Sequence, residues 1–275
     1  MAGQPVQRPF SVTHDSPADL PATVKVDGKD MTFGPYLPAR RAAEAYCESV
    51  GIIIPFPKRD HKLNIARSKL IAQQYDAMTH IPNDPFVLSA YHALCNETMA
   101  QWQFIKQTGL CVEFSPAEQP YPNPCKAILD ITQNNHFFVT PTHRAFGTAD
   151  TIDPDDTNPL LAETSEVISG QTALVNDIFR IVHDFFGHVK EGLGFRAAGE
   201  ENAWRGHAVM YSPLARRALA TELRGQNCWV NWGPHGETNR KARMDDTVFA
   251  DQKIGLMEEW VAWQGMGDDV DSEVC

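Results

Sequence analysis

The chain has 275 residues, 43% of them apolar, and a formal net charge of −11. That is enough to bury the core of one large domain, while no apolar run approaches the roughly 18 residues that cross a membrane; the longest, "VGIIIPF" at Val50 to Phe56, is broken by Pro55. The acidic balance excludes indiscriminate nucleic-acid binding, which needs a broad basic face, and six scattered cysteines without any C-x-x-C exclude a zinc ribbon and a disulfide framework.

Residues 1–32 are rich in Pro, Asp and Thr and read as an extended N-terminal arm, with one hairpin at "TVKVDGKDMTF" turned at Asp27-Gly28. They lack a signal-peptide pattern, so a cytoplasmic location is expected. Residues 33–275 read as a single α+β domain, mostly α, with helical layers around a small sheet. "LPARRAAEAYCESVG" starts beside a proline and ends at a glycine, the marks of a helix over 37–51. A second helix is expected over 61–78, with Leu63, Ala66, Leu70 and Tyr75 on its buried face. A third opens on Asp84 as cap and Pro85 in its first turn, then sets Val87, Tyr91, Leu94, Thr98, Trp102 and Ile105 along one stripe. Glu97 and Gln101 form an i, i+4 pair beside that stripe.

Beyond Gly109 the short runs "LCVEF" and "HFFVTPT" read as strands flanking a short helix in "NPCKAILDITQNN". Residues 147–161 are acidic and proline-bearing and read as a mobile loop. Helices are expected again over 172–189, 199–211, 213–224 and 247–263, and "RGQNCWVNWGPHGETNR" reads as a polar, tryptophan-bearing loop that either walls a pocket or satisfies its own backbone. The segment from Arg180 to Arg243 carries a local charge of +4 against −15 for the remainder, which suits a small anionic ligand or merely marks basic helix faces.

The chemistry-bearing stretch is "RIVHDFFGHVKEG", with His183 and His188 five residues apart and Asp184 beside the first. Neutral imidazole is the commonest transition-metal ligand, and a carboxylate as third ligand leaves positions open for substrate or oxygen. On a regular helix residues i and i+5 diverge by about 140°, so the pair cannot share an ion; one π-type turn, at roughly 4.4 residues per turn, cuts this to about 50°. Gly187 eases such a distortion. The H-E-x-x-H pattern of zinc peptidases is excluded, because the spacing is one residue too long and Asp184 follows the first histidine.

"VHDFFGHV" resembles the metal-binding helix of the pterin-dependent aromatic amino acid hydroxylases, in which H-E-L-x-G-H-V and a later glutamate hold a non-haem iron. "ATELRGQ" places Glu222 thirty-four residues after His188, so the resemblance implies His183, His188 and Glu222 as Fe(II) ligands. It covers residues 176–225; no stretch matches the pterin loop, and zinc or manganese stays open for the same donors. The longer run from "NDIFRIVHDFFGH" to "ADQKIGLMEEW" is similar to uncharacterised bacteriophage and prophage proteins, which implies a phage origin and the host's cytoplasm.

"GEENAWRGHAVMYS" adds Glu200, Glu201 and His207, of which Glu200 and His207 share one helix face at i, i+7. Either glutamate can replace Glu222 as a ligand, act as a base or orient a ligand, and His207 suits an orienting role. Arg205 and Arg224 are candidates to hold a substrate's charge, and Glu222 has a plain alternative as the ion-pair partner of Arg216, Arg217 or Arg224. Three classes of function follow. The first is a mononuclear non-haem Fe(II) oxygenase acting on a small anionic or aromatic substrate. The second is a metal-dependent hydrolase, either with zinc or of the H…HD…D phosphohydrolase type using His143, Asp184 and Asp245 or Asp246. The third is a non-catalytic phage structural or host-interaction protein with a structural metal.

Overall fold

A computed structural model of the chain describes residues 22–26, 29–53, 63–117, 120–121, 125–144, 146, 157–242 and 246–265. The arm before residue 22, its Asp27-Gly28 turn and residues 147–156 of the acidic loop lie outside the described residues. The fold is α+β and mostly α. Its strands form three separate two-stranded pairs among the described residues, in place of one small sheet. The antiparallel pairs are β1 (Ala22–Val26) with β2 (Lys29–Phe33), and β5 (Glu163–Ile168) with β6 (Gln171–Leu174); β3 (Cys111–Phe114) runs parallel to β4 (His136–Val139). No helix among the described residues is long and apolar enough to cross a membrane.

Helix α1 (Leu37–Val50) ends where expected, on Gly51 at φ +73°, a left-handed conformation that favours glycine. Helix α2 (Ile65–Ala77) is capped by Asn64, whose side chain accepts from the Arg67 amide. It buries Ser68, Ile71, Ala72 and Tyr75 and exposes Ala66 and Leu70, so its inner face is rotated from the one expected. Helix α3 (Pro85–Lys106) begins as its sequence predicts, with the Asp84 carboxylate accepting from the Phe86 and Val87 amides, and every residue of its apolar stripe is buried.

Helix α4 (Cys125–Leu129) continues into a π turn at Asp130–Asn134. The helix expected over 172–189 starts late: residues 171–174 are strand β6, entered through Ser169 and Gly170, both at positive φ. Helix α5 (Val175–His183) then passes into a second π turn, Asp184–Val189. Helix α6 spans Ala197–Ala208 and α7 spans Pro213–Leu219; a third π turn, Ala220–Gly225, leads directly into α8 (Gln226–Trp232) and α9 (Gly236–Asn239). The stretch read as a polar loop is thus largely helical.

The helix expected over 247–263 is absent except for one 3-10 turn at Glu259–Ala262. Tertiary hydrogen bonds win there. Tyr75 donates to the Asp251 carbonyl, Tyr91 to Lys253, Thr221 to Gly255 and Arg217 to Met257, so the segment's carbonyls serve neighbouring helices rather than their own.

Two apolar clusters form the core. One gathers Tyr46, Trp102, Ile105, Phe137, Ile181 and Phe185, the other Ile71, Tyr91, Leu94, Phe179, Trp204 and Leu219. Helices α3 and α5 contribute to both, and α5 buries all of its residues except Arg180. The second π turn leaves the buried end of α5, so whatever it carries is anchored between both clusters.

Candidate metal centre

The Asp184–Val189 π turn brings the rings of His183 and His188 to a centroid separation of 5.0 Å, an approach that regular helical twist denies to residues five apart. Gly187 lies between them for a steric reason: a Cβ there would sit 2.9 Å from His183 Cε1 and Nδ1 and 3.3 Å from the Ala203 carbonyl oxygen. A side chain would push the first histidine and α6 away together.

Helix α6 supplies the third group. Its Glu200, Ala203 and His207 lie on one face, at i, i+3 and i+7, and Ala203 packs where Gly187 leaves room. The first turn of α6 is drawn in by a backbone contact, since a Cβ on Gly199 would overlap the Gly194 carbonyl. That turn begins at Arg196 without a capping side chain. One ligand atom each of His183, His188 and Glu200 lies within 4.8 Å of the others. Glu200 Oε2 is 3.3 Å from His188 Nε2 and 3.7 Å from His183 Nε2, close to the roughly 3.0–3.4 Å separating donors that share one transition metal. Side-chain exposure grades from 1% at His188 through 10% at His183 to 26% at Glu200, so the group opens to solvent on its carboxylate side.

The ring protons follow from the hydrogen bonds. His188 Nδ1 lies 3.3 Å from the Leu193 carbonyl, which only accepts, so Nδ1 carries the proton and Nε2 a lone pair. His207 Nε2 donates to Gln101 Oε1 at 2.9 Å. His207 is fully buried, and chiefly that burial drives its pKa well below the usual value, so it stays neutral and its Nδ1 accepts. His183 Nδ1, 3.3 Å away, must therefore donate, and His183 Nε2 also carries a lone pair. Neither Nε2 faces a hydrogen-bond donor, although both are buried. With both rings neutral, two lone pairs converge on a carboxylate oxygen, a group that a proton on one Nε2 or a bound cation would satisfy.

Burial raises the Glu200 pKa, but the two histidines outweigh it and hold the carboxyl far below its usual range. Burial opposes charge on His188, yet Glu200 and Asp184 raise its pKa overall. A proton on His188 and a metal ion therefore compete for the same place. Half-buried Asp184 is coupled to both histidines and to Glu200, and burial raises its pKa. Phe195 stacks on His188 at 4.1 Å and 17°, giving the group an aromatic wall.

No protein-family model, curated protein or solved structure matches the chain.

The remaining candidates lie elsewhere. Glu222 sits in the third π turn, outside the group, where it accepts from Tyr91 Oη at 2.5 Å and Gln226 Nε2 at 2.9 Å. Glu201 faces away from the histidines: Arg224 grips it with Nε at 3.1 Å and Nη2 at 2.6 Å, stacks on Trp204 at 4.1 Å and donates to the Val261 carbonyl. That buried pair ties α6 to the third π turn and leaves Arg224 no freedom to hold a substrate. Arg205 is buried on α6. His143 and Asp246 are exposed and belong to no metal-ligating group, and Asp245 lies outside the described residues, so the H…HD…D set is not assembled among the described residues. Gln101 faces the centre through His207, whereas Glu97 accepts from the Ser212 amide and hydroxyl at the start of α7. Phe195 and the Leu193 carbonyl escaped the sequence reading, because their roles depend on the turn after the π segment.

Proposed function

We propose that the chain is a mononuclear metal-dependent enzyme of the non-haem Fe(II) oxygenase class, with His183, His188 and Glu200 as ligands. The observation that carries it is the convergence of two buried, unpartnered Nε2 atoms and one carboxylate oxygen. Two histidines and one carboxylate leave coordination positions open for oxygen and substrate. The reaction is hydroxylation: one atom of O2 enters a substrate C–H bond, and the other leaves as water with two electrons and two protons from an organic reductant. Phe195 beside His188 favours a small aromatic substrate. The free thiols at Cys47, Cys95, Cys111, Cys125 and Cys228 suit the reducing cytoplasm in which Fe(II) persists.

Asp184 favours a second reading, zinc hydrolysis with this carboxylate as general base, since zinc accepts the same donors. Elemental analysis and anaerobic Fe(II) reconstitution of untagged protein, followed by oxygen uptake with candidate aromatics, separate the two. An equivalent of iron lost in His183→Ala, His188→Ala and Glu200→Ala, with oxygen-dependent turnover, is the expected result. Turnover with zinc in the absence of oxygen favours hydrolysis. Failure of any metal to bind at these three residues overturns both readings.

A further inference from the structure

A second cluster of metal-ligating side chains lies on the parallel β3–β4 pair, and no part of the reading above depends on it. Cys111 and His136 are direct register partners, and Glu113 follows Cys111 by two residues and so shares its face. One ligand atom each of Cys111, Glu113 and His136 lies within 4.8 Å of the others. Cys111 is the one exposed cysteine among the described residues.

The imidazole is prepared in advance. His136 Nδ1 lies 2.7 Å from Asp130 Oδ2, and the edge-on ring of Phe138 sits 4.4 Å away. Asp130 is itself held by Tyr121 Oη and Asn134 Nδ2, each at 2.8 Å. With both of these groups donating to it, Asp130 is an acceptor, and it takes the Nδ1 proton of His136. His136 Nε2 is then the nitrogen able to ligate. A carboxylate that fixes the tautomer and direction of an imidazole is the usual support of a metal-bound histidine.

The Asp130–Asn134 π turn builds this arrangement and ends on Asn135 at φ +51°. The Asn135 side chain donates to the Gly109 carbonyl at 2.9 Å, and its carbonyl accepts from the Cys111 amide at 3.0 Å. The register that sets Cys111 opposite His136 is thereby pinned.

We propose that Cys111, Glu113 and His136 bind a zinc ion, with Asp130 as the positioning residue and water in the fourth place. A thiolate, an imidazole and a carboxylate suit tetrahedral zinc and are a poor set for magnesium or calcium. The ion clasps two four-residue strands whose pairing alone has marginal stability.

The test is anaerobic Co(II) titration of the full chain, followed by its thiolate-to-cobalt charge-transfer band. The His183/His188/Glu200 group contains no sulfur, so the band reports on the second cluster alone. Expected are a band in wild type and in His188→Ala, its loss in Cys111→Ser, and binding weakened at least tenfold in His136→Ala and Glu113→Gln. Asp130→Asn should keep the band while weakening affinity by about 10–100-fold. Zinc should raise the melting temperature of wild type more than that of Cys111→Ser. No band in wild type overturns the proposal, as does a band that survives Cys111→Ser. A band with unchanged affinity in His136→Ala reduces the cluster to a lone thiol and overturns it equally.

Discussion

Among the described residues, two of the three π turns carry a buried ionisable ligand type, and they treat it in opposite ways. In Asp184–Val189, His188 points a bare Nε2 at another bare nitrogen and a carboxylate. In Ala220–Gly225, Glu222 has a donor on each carboxylate oxygen, from Tyr91 and Gln226. Folding tolerates a buried polar atom when it is satisfied. A satisfied one holds the fold together, while converging acceptors without donors mark a candidate site. By that criterion Asp184–Val189 is a candidate binding site and Ala220–Gly225 is architecture.

The comparison breaks most sharply on metal content. His188→Ala and Glu200→Ala should lose stoichiometric metal, whereas Glu222→Ala should retain it, as measured by elemental analysis after gel filtration. The reverse pattern would return the third ligand to Glu222.

Next in size is the buried Arg224–Glu201 pair that joins Ala220–Gly225 to α6. Arg224→Met leaves Glu201 buried with Arg67, at 3.8 Å, as its remaining cationic partner among the described residues, and should cost about 3–5 kcal/mol in urea unfolding without loss of metal. Metal loss at retained stability would place Arg224 in the centre after all.

Glu222 offers a test by pH. Burial outweighs its two hydrogen bonds and pushes its pKa from 4.5 up to about 7. The folded state therefore holds this proton more tightly than the unfolded chain. The associated stability is full below about pH 4.5 and is lost as pH rises through about 7. Glu222→Gln cannot ionise, so relative to wild type it should gain up to about 3 kcal/mol between pH 4.5 and pH 8. Unfolding curves of the two proteins that stay parallel across that range would contradict the assignment.

The smallest expected effect is at His207. His207→Phe removes the acceptor for His183 Nδ1 and should weaken metal affinity by about 10–100-fold while leaving stoichiometry intact at saturating metal. Competition with a chelator reads this directly.

Much of this was legible in the amino-acid order. The five-residue spacing of His183 and His188 already required a widened turn for a shared ion, and the role of Gly187 follows from its place between them. Stripe and cap signals placed α3 closely, because Asp84, Pro85 and the apolar period all act within one helix. The choice of third ligand was less legible. Motif likeness ranked Glu222 first, while the signal that marked the alternative was the shared face of Glu200 and His207. What sets Glu200 rather than Glu222 beside the histidines is the position of α6, whose Gly199 lies against the Gly194 carbonyl, a contact between backbones that no periodicity encodes. The C-terminal segment misled for a similar reason, since Tyr75, Thr221 and Arg217 reach its carbonyls from other helices. Cys111 and Glu113 were separated by one residue in a strand-like run, but their partner His136 joins them only through the β3–β4 register.

The uncapped start of α6 also sets a clock. Both histidines belong to one continuous stretch anchored between the core clusters, but Glu200 belongs to a helical first turn with no side chain closing it at Arg196. Such turns fray far more often than domains unfold. Each fraying event would withdraw the carboxylate from the two imidazoles and leave any bound ion on His183 and His188 alone. Metal exchange should therefore run at the opening rate of a single turn, and Arg196→Asp, which supplies the missing cap, should slow the off-rate without altering the ligands.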